Sequence, residues 1–209
     1  MTTYYALGYH IVSTVSKLFF SLQILYPERS IQNGPLILAA NHQSYLDPPI
    51  IGLAADREVF WLAKKTLFSW PILGKLFPKL NVIPVDIQKN DSSALRILIR
   101  YINQGKAVVI FPEGARTLDG QMQKAQPGLG MLICKTQAPV LPLRIFGARE
   151  ALPRGSSNLN FTPVSIVVGE PIYFSKKDML GDNKREIYQK LSDQVMDAIA
   201  ALSLPSASY

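Results

Sequence analysis

Apolar residues in this chain come either in short continuous runs or at steps of three and four. Leu36–Ala40 is a continuous run, entered through Gly34-Pro35 and ending just before His42, which is the pattern of a buried strand. Asn81–Val85, Ala107–Phe111, Pro139–Phe146 and Ser165–Val168 are further strand candidates. Between them, Asp91 stands where it would cap a helix whose Leu95, Leu98, Ile99 and Ile102 share a face, and Gly105 closes it. Asp47-Pro48-Pro49 predicts another helix start, with Asp47 near the N-cap and the prolines in the first turn. From Lys184 to Leu202, Ile187, Leu191, Val195, Ile199 and Leu202 mark a last amphipathic helix. Strands alternating with helices predict an α/β fold, a mostly parallel central sheet flanked by helices. No Gly-, Ser- or Pro-rich linker divides the 209 residues, so one domain is expected, with its main core over 35–175 and a C-terminal helix over 184–202.

The first 26 residues carry a single charged side chain, Lys17. On a helix, His10, Ser13, Thr14, Lys17 and Ser21 form one narrow polar stripe, and the remaining surface is apolar, from Tyr4 and Leu7 through Ile11 and Val15 to Leu18 and Phe19. An arc this wide either packs into a core or lies in a membrane interface. A spanning helix needs roughly 20 mostly apolar residues, and this stretch has too many polar groups for that. A membrane-associated N-terminal helix over 1–26 is the expectation. The stretch from Phe60 to Leu80 interleaves Lys64, Lys65, Lys75 and Lys79 with Trp61, Phe68, Trp70 and Phe77. This mixture suits a headgroup boundary, and equally a packed pair of helices with solvated lysines.

Composition narrows the partners. Hydrophobic residues make up 48% and the net charge is +7, so an anionic bilayer, a phosphorylated substrate or a nucleic acid would each be attracted. No nucleic-acid-binding signature accompanies the charge, and no nucleic acid partner is expected. A single cysteine, Cys134, excludes an intramolecular disulfide, and with only two histidines a His/Cys metal site is disfavoured.

Three stretches place reactive side chains directly after an apolar run, where α/β proteins build their sites. In Asn41-His42-Gln43-Ser44-Tyr45-Leu46-Asp47, an imidazole is followed five residues on by a carboxylate able to hold its far nitrogen. This is the His–Asp half of a triad without its serine, so the attacking hydroxyl can belong to the substrate. No Gly-x-Ser-x-Gly elbow is present to make a serine hydrolase. In Phe111-Pro112-Glu113-Gly114-Ala115-Arg116-Thr117, the glycine permits a tight turn, Arg116 offers a fork for a phosphate, and Thr117 adds a hydroxyl. In Val140-Leu141-Pro142-Leu143, a proline interrupts a strand, which predicts a sheet edge or a wall shaped for a ligand.

Taken together, in this order, the three stretches resemble the glycerolipid acyltransferase family of the lysophosphatidate acyltransferase type, over about Pro35 to Gly147. The resemblance implies that residues 35–175 form a catalytic core in which His42 and Asp47 are the catalytic pair. It further implies that Glu113, Gly114, Arg116, Thr117 and Pro142 bind substrate, with Glu113 and Arg116 orienting the acceptor glycerol and phosphate and backbone N–H groups near Gly114 as oxyanion donors. His42 would deprotonate the free hydroxyl of 1-acylglycerol-3-phosphate for direct attack on acyl-ACP or acyl-CoA, with no acyl-enzyme, no metal and no cofactor besides that co-substrate, giving phosphatidic acid. It also implies a membrane lipid and a thioester carrier as partners, at the cytoplasmic face of the cell membrane. One block departs from the family: Val82-Ile83-Pro84-Val85-Asp86-Ile87 has Ile87 where an arginine for the acceptor phosphate is expected, with Gln88, Lys89 or Arg116 as replacements. That departure leaves open another lysolipid acceptor, a lysophospholipid or a lyso-aminolipid. A non-catalytic lipid-binding module is the alternative of a different class.

Overall fold

The computed structural model describes residues 1–86, 93–156 and 158–205. Its strands are β1 (Gln23–Leu25), β2 (Leu36–Ala40), β3 (Val59–Lys64), β4 (Val82–Val85), β5 (Ala107–Ile110), β6 (Val140–Phe146) and β7 (Ser165–Val168). Its α-helices are α1 (Thr3–Phe20), α2 (Asp47–Ala55), α3 (Leu73–Leu76), α4 (Ser93–Asn103), α5 (Gly128–Thr136), α6 (Ala148–Ala151) and α7 (Lys184–Ala201). The strands form one seven-stranded sheet in the order β1-β7-β6-β2-β5-β3-β4. Every described pairing is parallel except β6 with β7.

The apolar run of β2 is explained by burial on both sides of the sheet. Leu36, Leu38 and Ala40 face a core shared with α1 and α2, whereas Ile37 and Ala39 face a second core built with α4, α5 and α7. Burying each such leucine or isoleucine contributes about 1.5–3 kcal/mol. Leu191, Val195 and Ile199 of α7 and Leu98 and Ile102 of α4 are fully buried in the second core, as their spacing predicts.

Three expectations change. The N-terminal helix does not run to residue 26: it stops at Phe20, Ser21 turns the chain in the left-handed region at φ 43°, and Gln23–Leu25 leaves as β1 beside β7. Phe60–Lys64 belongs to a strand, β3, rather than to a helix pair, and only short helical turns follow, over Lys65–Ser69, Leu73–Leu76 and Phe77–Leu80. Its β-branched and aromatic start at Val59-Phe60-Trp61 is the strand signal that the lysine–aromatic mixture obscured. Pro142 does not mark an edge, because β6 lies between β7 and β2. The interior position is tolerated because Pro142 meets the end of the β7 ladder, where Gly169 N–H donates to the Pro142 carbonyl at 2.8 Å. A side chain on Gly169 would come within 2.8 Å of the proline ring, so glycine makes that room. Pro84, by contrast, sits in the edge strand β4. The cap expected at Asp91, and Ile87, Gln88 and Lys89, lie outside the described residues.

Helix α1 buries one face and exposes another. Tyr5, Ser16 and Phe20 are buried, with Tyr9 and Val12 packed against the same core, while Tyr4, Leu7, Ile11, Val15, Leu18 and Phe19 are exposed. Among the described residues no helix is long and apolar enough to cross a membrane.

Candidate active site

The site forms where β2 and β5 end side by side. Their parallel register pairs Ala39 with Ile110, so three residues further along each chain His42 and Glu113 come opposite one another. Beyond the ladder their backbone groups need new partners, and side chains supply them. Glu113 Oε1 accepts the N–H of His42 at 2.7 Å, and Oε2 accepts the N–H of Gln123 at 2.9 Å. Asn41 continues the pairing toward β6: its amide donates to the Ile145 carbonyl at 3.0 Å and accepts the Ile145 N–H at 2.7 Å. Thr117 N–H closes the loop by donating to the His42 carbonyl at 2.9 Å.

The imidazole of His42 is held on two sides. Its Nδ1 lies 2.7 Å from Asp47 Oδ2, and its ring stacks on Phe111 with centroids 3.8 Å apart and planes 14° from parallel. Asp47 is fully buried at the first turn of α2, and the same Oδ2 accepts N–H groups from Gln43 at 2.6 Å and Ser44 at 2.7 Å. An oxygen already holding two amide protons acts as the acceptor toward Nδ1–H, which assigns the lone pair of the neutral ring to Nε2. The side chain is 17% exposed, and with Nδ1 bound to Asp47 the Nε2 edge of the ring points away from the carboxylate.

Other expected site residues divide by what they touch. Glu113 is only 4% exposed and both of its oxygens are engaged by backbone, so it positions His42 from behind instead of facing an acceptor. Burial pushes its carboxyl above the ordinary range, against the pull of the two N–H groups that favour the anion. Gly114 has φ +74°, and its N–H donates to the Phe111 carbonyl at 3.0 Å within the turn. Thr117 is buried and its hydroxyl is taken up locally, donating to Asp119 Oδ1 and accepting Gly120 N–H, both at 3.0 Å. Pro142 is paired in register with Ala39, three residues before His42, with its ring toward Gly169. Arg116 is the exception. Its guanidinium lies 3.5 Å from the centre of the Tyr45 ring, and its buried Nη1 has no partner among the described residues. The first and second stretches are therefore joined by four contacts: the His42 N–H with Glu113, the His42 carbonyl with the Thr117 N–H, the His42 ring with Phe111, and Tyr45 with Arg116.

The model of the acyltransferase family matches residues 22–146, more than half of the chain and all the candidate site residues from Asn41 to Pro142. This chain belongs to the acyltransferase family. A chloroplastic 1-acyl-sn-glycerol-3-phosphate acyltransferase of Brassica napus is 30% identical over 184 residues, 82% of this chain and 53% of its own length. The 1-acyl-sn-glycerol-3-phosphate acyltransferase of Bacillus subtilis is 26% identical over 141 residues, 66% of each chain. The chain thus spans about half the length of the plant relative it matches. The fold is shared with the crystal structure of the 1-acyl-sn-glycerophosphate acyltransferase of Thermotoga maritima at a TM-score of 0.71 and 23% identity, covering 98% of this chain and 86% of that one.

Within this acyltransferase core, Asn41, Tyr45 and Phe111 are site residues that sequence reasoning quoted without giving them roles. Their positions flanking His42 and Arg116 were the available signal. Among the described residues no group of His, Cys, Asp or Glu is arranged to hold a metal ion. An apolar cleft opens between α1 and α2, lined by Tyr9, Val12, Pro49, Leu53, Trp61 and Leu80, and it reaches Pro48, the residue after Asp47.

Proposed function

We propose that this protein is a 1-acylglycerol-3-phosphate O-acyltransferase, taking a fatty acyl group from acyl-ACP or acyl-CoA and giving phosphatidic acid. The observation that carries the reading is the His42–Asp47 pair, with Nδ1 fixed by a buried carboxylate and Nε2 left to accept a proton. The names of the Brassica napus and Bacillus subtilis relatives support the acceptor.

In this reading Nε2 of His42 takes the proton of the acceptor hydroxyl as its oxygen bonds to the thioester carbonyl carbon. The imidazolium formed is stabilised by Asp47. The tetrahedral intermediate then collapses, the C–S bond breaks, and the thiolate leaves with the proton held on Nε2, so ester and free thiol are the products. Arg116, over the Tyr45 ring, meets the acceptor phosphate with its unpaired Nη1. Glu113 and Thr117 hold the backbone of His42, Gly114 shapes the turn, and Pro142 shapes the sheet beneath. The acyl chain lies in the cleft beside Pro48 and Trp61, where apolar burial contributes about 0.8 kcal/mol per CH₂. The exposed stripe Tyr4, Leu7, Ile11, Val15, Leu18 and Phe19 rests α1 on the cytoplasmic face of a membrane, which is where a lysolipid is met.

Acyl transfer from a labelled thioester, CoA or ACP, to 1-acylglycerol-3-phosphate and to lysophospholipids bearing a headgroup tests this directly, with His42→Ala beside the wild type. Product from 1-acylglycerol-3-phosphate that falls about 10²–10⁴-fold in the variant is expected. Activity of His42→Ala above a tenth of wild type removes His42 as the base, and product only from a headgroup-bearing acceptor changes the substrate.

A further inference from the structure

Arg154 reaches the site from a segment outside the three motifs. It follows α6, and its Nη1 donates to the carbonyl of Arg116 at 2.6 Å. Two residues earlier, the Leu152 carbonyl accepts the Ser44 hydroxyl at 2.9 Å. The segment 152–154 is thereby fastened to the turn carrying His42 at one end and to the loop carrying Arg116 at the other.

Charge makes this contact more than a structural tie. Arg154 is exposed, and no carboxylate among the described residues lies within ion-pair distance of it or of Arg116. Arg149, on α6, differs. It donates to the Leu118 carbonyl at 3.2 Å, and it adds to the lowering of the Asp119 carboxyl, which comes first from the Gln121 N–H and the Thr117 hydroxyl. Arg149 therefore has a local counter-charge in Asp119, whereas Arg116 and Arg154, joined across two segments, have no ion-pair partner among the described residues. One N–H donor of each is accounted for at most: Arg154 has given Nη1 to a carbonyl, and Arg116 keeps a buried Nη1 unpaired. An unsatisfied buried donor is costly, and a multiply charged oxyanion is the ligand that relieves it while neutralising two guanidiniums.

We infer that Arg154 is a second phosphate-binding residue that works with Arg116 and selects acceptors carrying a phosphomonoester over those carrying a phosphodiester. This rests on the function proposed above. A monoester carries about −1.5 to −2 charge near neutral pH, matching two arginines. A diester carries one charge and presents fewer free oxygens.

The test compares wild type, Arg154→Gln and Arg154→Lys in steady-state transfer to 1-acylglycerol-3-phosphate and to 1-acylglycerophosphocholine, with donor and acceptor varied separately. Arg154→Gln removes the charge while keeping a polar, uncharged amide side chain. The expected result is an acceptor KM for the monoester about tenfold higher, with kcat and donor KM within twofold and little change for the choline-bearing acceptor. Arg154→Lys, which keeps the charge, recovers most of the loss. An unchanged monoester KM in Arg154→Gln, or equal losses for both acceptors and for the donor, overturns the inference and leaves a structural tie. Wild type that makes no product from 1-acylglycerol-3-phosphate overturns the proposed function, and this inference with it.

Discussion

The imidazole of His42 stacks on the ring of Phe111, with centroids 3.8 Å apart, although the two residues follow the ends of different strands, β2 and β5. Asp47 holds the same imidazole at its edge, so the ring is restrained both in its plane and against its face. Removing the stacked ring frees the imidazole to tilt. Phe111→Ala is expected to lower kcat about tenfold, since orientation contributes on that scale to proton transfer, while Phe111→Tyr keeps near-normal turnover. Steady-state kinetics of the two variants checks this. Unchanged kcat in Phe111→Ala would show that Asp47 alone is sufficient.

Asp47 Oδ2 receives three donors at once, two backbone N–H groups and the imidazole. Asp47→Asn keeps the shape but cannot stabilise an imidazolium. A fall in kcat of about 10²–10⁴-fold is expected, with the folded state retained by circular dichroism. A loss of tenfold or less would mean that the buried carboxylate matters for folding and not for turnover.

Glu113 makes the stability of the fold depend on pH, and the sign follows from its raised pKa. Below the ordinary value of 4.5 both folded and unfolded chains hold the proton. As the pH rises past it, the unfolded chain releases a proton that the folded chain retains, so the folded state loses relative stability until folded Glu113 also ionises. Urea midpoints of wild type against Glu113→Gln, taken from pH 4 upward, are expected to show wild type losing ground through this window and then levelling. A difference that grows in favour of wild type with rising pH would mean that the two N–H groups outweigh burial.

Gly114 turns the loop that carries Arg116 at φ +74°, and a Cβ there would lie 3.3 Å from Gln126 Cγ. Gly114→Ala is expected to destabilise by about 1–2 kcal/mol through the left-handed backbone, and to raise the acceptor KM by shifting Arg116 from Tyr45. Thermal melts and kinetics read the two effects separately; an unchanged melt would show that the turn adapts.

The outward stripe of α1 is separable from its packing face. Ile11→Glu with Leu18→Glu changes two exposed residues, 55% and 73% accessible. Pelleting with anionic vesicles is expected to drop sharply while the melting temperature stays within about a degree, because surface substitutions rarely exceed about 0.5 kcal/mol. Undiminished pelleting would assign membrane contact to another surface.

Local patterns determined a large part of this protein. The apolar runs of β2, β5 and β7 and the helical spacing in α4 and α7 are visible because burial on two faces or one face imposes its own period on neighbouring residues. The His42–Asp47 pair is legible for the same reason: a turn of five residues joins it, and one tight turn sets the geometry. Tertiary structure alone decided what surrounds that pair. Glu113 became a backbone clamp, and Thr117 spent its hydroxyl locally, because strand ends leave particular N–H groups unpaired and the β2–β5 register selects which side chains can reach them. Pro142 lies inside the sheet because Gly169, 27 residues later, leaves space for its ring. Arg154 meets Arg116 only because the segment after β6 folds back across the site. Each of these depends on contacts between distant parts of the chain, which no local period encodes.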